Sequence, residues 1–525
     1  MSLKFINKLN LLNIIIIILI FILFYLTFDT GLHGDDYTVI TRWNPQNFLH
    51  LSPENLGLKI SGIPDYLLFW WIYPVFGYDY KWCYDLIKWL SHLTAIYMVW
   101  RFFSIFISYY RSLAASIFFI LLPVHETTTY WYMTAPYIFW PGIIMFSFYL
   151  ININKFKIGC VLASVGAFSG YWSPPYVFGL SFIFFLRREY RKGILFIAPG
   201  FLYVIYYFYL KFAFPFTEGR INPNMSIELF FKGIVLQLIG IIDSFIGPSA
   251  FLKIYYSVLS IELLSFILAV CILVLCSCQI DKIAVTKKAN PVPNDLRILL
   301  IGTGSVLVLS LGMFALTGLY VPSPFNLGNR SLVYGSLITA ALLASVTINR
   351  KNLIIIWFIF ILPVFGLSDY WKAWNHKQNN ILYNIQSHEG IRLLKKNEIL
   401  LVTGNIYNKI GPYSHIEFFS MPWVVSSIFR NFANLEQVVA LSQTIFLEGN
   451  VLKDSKFGGI YPITENLYIY DSESNILKSA NRDDIEILIN KRPHEIRHWV
   501  QLTKGTLIES SIVNLSPRLQ YLFVK

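Results

Sequence analysis

The sequence predicts an α-helical polytopic membrane protein with about eleven transmembrane helices and a C-terminal extracytoplasmic α/β domain. Three observations carry this. Of 525 residues, 55% are hydrophobic and only 14% charged, against roughly 25% charged in a soluble globular chain. The apolar residues gather in runs that approach the 20 or so residues a spanning helix needs. Charge is also unevenly spread: 41 residues of 1–370 are Asp, Glu, Lys or Arg, against 31 of the 155 residues from 371 to 525. Residues 1–370 thus read as a membrane domain of net charge +9, and residues 371–525 as a nearly balanced soluble domain of +3. An aromatic content of 17% excludes a disordered chain. The five cysteines form neither a disulfide scaffold nor a zinc pairing.

Residues 11–28 are the first span. Lys4 and Lys8 precede it, as in a signal peptide, but no small-residue cleavage site follows, so it reads as an uncleaved anchor with a cytosolic N-terminus. Further spans fall at about 86–107, 113–124, 137–153, 158–171, 177–186, 193–210, 256–278, 298–319, 331–348 and 353–367. The connections expected inside carry Arg111, then Lys155 and Lys157, then Arg187, Arg188, Arg191 and Lys192. Lys282, Lys287, Lys288 and Arg297 follow, and finally Arg350 and Lys351. All are basic, as the positive-inside rule requires, and an odd span number leaves the chain after residue 367 outside. The overall +12 therefore reflects topology and not nucleic-acid binding. Residues 234–251 are apolar but hold Gln237, Asp243, Gly247 and Pro248. A full span there would turn the basic 282–297 loop outward, so the segment reads as an interfacial or re-entrant helix. Beyond the last span, a polar helical stretch at 371–396 precedes a strand at 398–403. Further β-forming runs lie at 459–463, 466–470 and 519–524, giving a small mixed α/β domain.

The outer loops hold the candidate chemistry. His33-Gly34-Asp35-Asp36-Tyr37 follows the first span. An acidic pair there suits a general base for a hydroxyl or a divalent-ion ligand, although acidic pairs also serve simply as solvated loops. Asp36 is the candidate metal ligand, for Mg or Mn. Pro123-Val124-His125-Glu126, with Trp131 beyond it, closes the third span. His125 and Glu126 are placed to complete a site with Asp35, while Trp131 also suits an interfacial aromatic belt. Lys211, Arg220 and Arg330 are outer cations. Arginine suits a lipid-linked phosphate through bidentate hydrogen bonds, with snorkelling the plainer reading for Lys211. Lys88, His92 and Arg101 fall within the second span, where Lys88 and Arg101 read most simply as snorkelling. No phosphate-cradling glycine loop, serine elbow or zinc motif is present.

Taken together, one span followed by Gly34-Asp35-Asp36, the Pro-Val-His-Glu…Trp stretch at 123–131, and a many-span body with a soluble outer tail resemble the multi-span GT-C glycosyltransferases. The resemblance covers about residues 1–370. It implies a bacterial plasma-membrane enzyme that transfers a hexose or pentose from a polyprenyl-phosphate donor to a surface glycan or lipid acceptor on the outer face. Asp35 or Asp36 would be the base, with Glu126 beside them. Arg330, Arg220 and Lys211 would hold donor phosphate, and His125 and Trp131 would line the pocket. The arginine usual after the Pro…Glu…Trp stretch is replaced by Pro136 and Tyr137. Two other readings stand beside this one. An O-antigen or capsule polymerase or ligase would more often carry a large loop between spans. A lipid-linked glycan transporter would carry polar residues at mid-membrane and an inverted repeat.

Overall fold

The computed structural model describes residues 11–42, 62–213, 225–285, 293–317, 322–345, 350–395, 398–442, 444–455, 458–463, 467–491, 502–503, 510 and 523–524. Arg220 lies outside these, and of Lys211 only the helical backbone is described. The first helix, α1 (Leu11–Thr27), is followed by the short helix α2 (Asp35–Arg42). The body then comprises α3 (Lys81–Phe103), α4 (Tyr109–Leu121), α5 (Pro136–Asn152), α6 (Phe156–Ala167), α7 (Pro174–Leu186) and α8 (Tyr190–Ala213). After them come α9 (Ile227–Ile246), α10 (Pro248–Leu259), α11 (Leu263–Val285), α12 (Pro293–Thr317), α13 (Val333–Ser345) and α14 (Arg350–Ser387).

Small residues let these helices approach closely. A Cβ on Gly142 of α5 would stand 3.0 Å from Met98 Cε of α3, and one on Gly179 of α7 would stand 2.6 Å from the backbone nitrogen of Val306 on α12. Such contacts are how helices associate where lipid offers no hydrophobic drive between them. The outward faces stay apolar: Phe212, Ile227 and Leu263 are among the most exposed side chains, as suits contact with lipid.

Among the described residues, five helices are long and apolar enough to cross a membrane: Tyr132–Asn152, Tyr190–Leu210, Ile227–Ile246, Asp295–Thr317 and Ile355–Ser387. The pair Pro248–Leu259 and Leu263–Leu275, bent by 113°, makes up to six. Ile16–Thr27, Arg111–His125, Phe156–Ala167 and Pro174–Leu186 are apolar but shorter. Helix α3 has the length but buries Asp85, Lys88 and His92. Eleven full-length spans therefore do not emerge. The segment expected to be re-entrant also falls differently. Ser226 caps α9, its hydroxyl accepting from Leu229 N–H at 3.1 Å, and a Glu228–Lys232 pair at 2.7 Å reinforces the first turns. The helix thus runs for 20 residues to Gly247-Pro248, and the sharp break comes one element later, between α10 and α11.

Helix α14 is continuous over 38 residues, so the composition boundary at 370/371 lies inside it. Its C-terminal half carries the chain into the C-terminal region. There β1 (Ile399–Thr403) pairs in parallel with β4 (Val438–Ala440) and β5 (Leu467–Asp471), and β6 (Ile476–Ala480) closes that sheet antiparallel. The hairpin β2 (Tyr407–Ile410) and β3 (Tyr413–Glu417) leaves the sheet and packs onto the helical body. It leads into α15 (Pro422–Ala433), which lies against α2.

Candidate active site

The turn after α1 needs left-handed backbone at Asp29, Gly31 and Gly34, with φ of 62°, 75° and 49°. Glycine tolerates this freely. At Gly31 space demands it as well, since a Cβ would stand 1.9 Å from Asn375 Oδ1 of α14. Lys88 fastens the turn from beneath. Its Nζ lies 2.7 Å from Asp85 Oδ1 and donates to Thr30 Oγ1 at 2.5 Å and to the Tyr130 carbonyl at 2.8 Å. Lys88 is fully buried and so does not snorkel; a buried ammonium must be paired, and here it ties three segments together. Arg101 bonds the Tyr149 hydroxyl, its guanidinium 4.6 Å from that ring.

Asp36 is fully buried and fully engaged. Tyr73 donates to Oδ1 at 2.5 Å, while Trp131 Nε1–H and His33 N–H donate to Oδ2 at 3.0 and 2.8 Å. Burial pushes its carboxyl up to about 7, against the pull of those donors. His33 donates from Nε2 to the Thr30 carbonyl at 2.5 Å and accepts at Nδ1 from Gln378 of α14 at 2.9 Å. Burial first, and then the Lys88 charge, hold it down at about 3.

Asp35 stands differently. It is half-buried, and its Oδ1 accepts from Trp423 Nε1–H of α15 at 2.6 Å. Among the described residues its Oδ2 has no hydrogen-bond partner. Asp35 lines a small open cleft with Gly34 and Trp131. The opposite wall is Ile416, Glu417, Phe418, Met421 and Val424, all from the C-terminal region.

A second, closed cluster lies behind the first. Glu126 Oε1 accepts from Lys253 Nζ of α10 at 2.6 Å and from His415 Nε2 of β3 at 2.5 Å. Side-chain exposure of the three is 0–2%. His415 Nδ1 accepts from Asn326 N–H at 2.9 Å, which fixes the tautomer with the proton on Nε2. Lys253 and His415, 3.1 Å apart, therefore both point donors at one oxygen. Burial opposes the Glu126 charge, but Lys253 and His415 outweigh it and hold the carboxyl below its usual range. Burial and the Lys253 charge push His415 down to about 4. Glu126 Oε2 is buried without a partner.

The stretch 123–134 joins the two clusters, with Glu126 in one and Trp131 in the other. His125 is turned inward, bonding Thr128 Oγ1 at 2.8 Å and the Phe119 carbonyl at 2.9 Å. Arg330 is half-buried in the turn Leu327–Leu332, its guanidinium 5.8 Å from the Tyr137 ring. The neighbouring Asn329 bonds Thr127, which sets Arg330 beside the 123–134 stretch. Asp35, Asp36, Trp131, Glu126, His125 and Arg330 are thus all held by one connected framework. Sequence reasoning missed Tyr73, Lys253, His415 and Trp423. Lys253 had one signal, a lone lysine in an outer apolar segment.

With both Asp36 oxygens accepting, and no group of three His, Cys, Asp or Glu among the described residues able to hold a metal ion, the donor set does not fit a divalent cation at Asp36.

No family model and no curated protein matches the chain. Among solved structures, the crystal structure of ArnT from Cupriavidus metallidurans bound to undecaprenyl phosphate aligns at 12% identity. The alignment covers 74% of this chain and 82% of that one, with a TM-score of 0.33. A score that low does not establish a common fold, so a functional reading rests on the site itself.

Proposed function

We propose that the chain is a membrane glycosyltransferase that moves a sugar from a polyprenyl-phosphate donor to a surface glycan or lipid acceptor at the outer face of a bacterial plasma membrane. The observation that carries this reading is the setting of Asp35. It is a carboxylate with one oxygen fixed by Trp423 and the other without a hydrogen-bond partner among the described residues, at a cleft beside an apolar helical body. The resemblance of Gly34-Asp35-Asp36 and the 123–131 stretch to the GT-C enzymes supports it.

In the reaction, the acceptor hydroxyl loses its proton to Asp35 as its oxygen bonds the anomeric carbon. The bond from that carbon to the phosphate oxygen breaks, and polyprenyl phosphate leaves with the electron pair. Asp36 does not take the proton; it anchors the start of α2 and so aims Asp35. Arg330 meets the negative charge growing on the phosphate.

The test is transfer of radiolabelled sugar from polyprenyl phosphate in membranes with matched protein levels. Asp35→Asn should lower transfer by about 100-fold or more, the scale of a lost general base. Full transfer by this variant would overturn the assignment.

A further inference from the structure

Between α2 and α3 the chain makes three short helical pieces, Ile63–Asp65, Tyr66–Trp70 and Ile72–Phe76. Of the 14 residues from 63 to 76, eleven are apolar or aromatic, and Asp65 is the one charged residue. One side of this segment packs against the helical body. Tyr66, Phe69, Ile72 and Tyr73 are buried there, and Tyr132 donates to the Phe69 carbonyl at 2.7 Å. Asp65 is turned inward as well, accepting from the indoles of Trp140 and Trp70 at 2.7 and 3.1 Å. The other side presents Ile63, Leu67, Leu68 and Val75, each 37–55% exposed. A side facing water would carry polar residues, and no polar residue of the segment reaches this one. Single exposed apolar residues are ordinary, but a run of them without charge marks a contact surface.

Three features say what meets that surface. The pieces are too short to cross a bilayer, so they lie along it. Trp70 and Trp71 are half-buried, and Tyr80 and Trp82 stand exposed just beyond; such amphipathic rings settle where lipid meets water. The apolar exposure then runs on into α3 at Trp82, Leu90 and Tyr97, whose spacing keeps them near one side of that helix. We infer that residues 63–76 form an interfacial segment seated in the bilayer, with Leu67, Leu68 and Val75 among the acyl chains. The partner is lipid, and neither water nor a second protein. An uncharged face with flanking aromatic residues binds there through buried apolar area. The seat does not depend on the transferase reading. It bears on the acidic turn all the same, because Tyr73, on the buried side, donates to Asp36 Oδ1 at 2.5 Å. Lipid that holds Leu67 and Leu68 therefore helps to hold Asp36.

Nitroxide labels on the full-length protein in lipid nanodiscs test this without any donor or acceptor. In a background free of native cysteines, single labels are carried by Leu67→Cys, Leu68→Cys or Val75→Cys. Ile476→Cys, at a residue as exposed on the C-terminal sheet, gives the water reference. Power saturation compares collision with oxygen, which gathers in hydrocarbon, and with a nickel chelate, which stays in water. Oxygen access should exceed nickel access severalfold at the first three labels, with the reverse at Ile476→Cys. Leu67→Asp with Leu68→Asp should move the Val75→Cys label toward water and speed hydrogen exchange at residues 33–37. Nickel access that matches or exceeds oxygen access at Leu67→Cys and Leu68→Cys would overturn the proposal in favour of a loop in water. Low access to both reagents would overturn it in favour of a protein partner. Unchanged exchange at 33–37, with the Val75→Cys label moved, would overturn the link to the acidic turn.

Discussion

Adjacent carboxylates meet opposite fates here. Among the described residues Asp35 keeps one oxygen without a hydrogen-bond partner, while Asp36 is sealed among an indole, a phenol and a backbone amide. The sealed group has a pH consequence. Its carboxyl titrates near 7 in the folded protein and near 4 when unfolded. The unfolded chain therefore releases this proton first, and stability falls as pH rises from about 4 through 7. Asp36→Asn, which cannot ionise, should remove that part of the slope in melts taken between pH 4 and 8. An identical slope in the variant would show that another group sets it. The pair was legible as a signal because its members are adjacent. Which of the two faces the cleft was not, because Tyr73, Trp131 and Trp423 come from three distant segments.

At the scale of elements, the hairpin β2–β3 decides the site. It was invisible in the sequence reading, since four- and five-residue strands around Gly411-Pro412 give a weak pattern. The partner that matters, Glu126, lies 289 residues away from His415. The strands expected at 398–403 and 466–470 did form, at Ile399–Thr403 and Leu467–Asp471, because each is a mostly apolar run that the sheet buries. The hairpin is held down through Glu126, Lys253 and His415. Breaking such a buried pair leaves a charge uncompensated and costs about 3–5 kcal/mol. Lys253→Met should lower stability by that order and speed hydrogen exchange at residues 413–417 before the helical body opens. Unchanged exchange there would mean that the hairpin is held by its apolar contacts alone.

For the whole molecule, the sequence expectation divides membrane from soluble residues by charge density at 370/371, and the backbone has no break there. Helix α14 runs through the boundary, because the polar residues after 370 keep a helical pattern and one face stays buried. Asn375 Nδ2 donates to the Asp29 carbonyl at 3.0 Å, and Gln378 Nε2 to the Leu32 carbonyl at 3.2 Å. These bonds index the C-terminal region to the turn bearing Asp35. Inserting four residues after Lys372 would raise everything beyond by about 6 Å and turn it by about 40°. Transfer should then be lost while membrane insertion, read by protease accessibility, persists. Retained transfer would show that the two regions work without a fixed relation.

That helix also sets a height. At 1.5 Å per residue, 38 residues extend about 57 Å, and a hydrocarbon core takes up only about 30 Å of it. What remains is fastened to the turn after α1, and in the transferase proposed above the cleft would meet its acceptor at one elevation above the lipid, whatever that acceptor's length. A long glycan would then be touched only where it passes that level. The enzyme would count distance from the bilayer, and residues along the chain would be told apart by altitude.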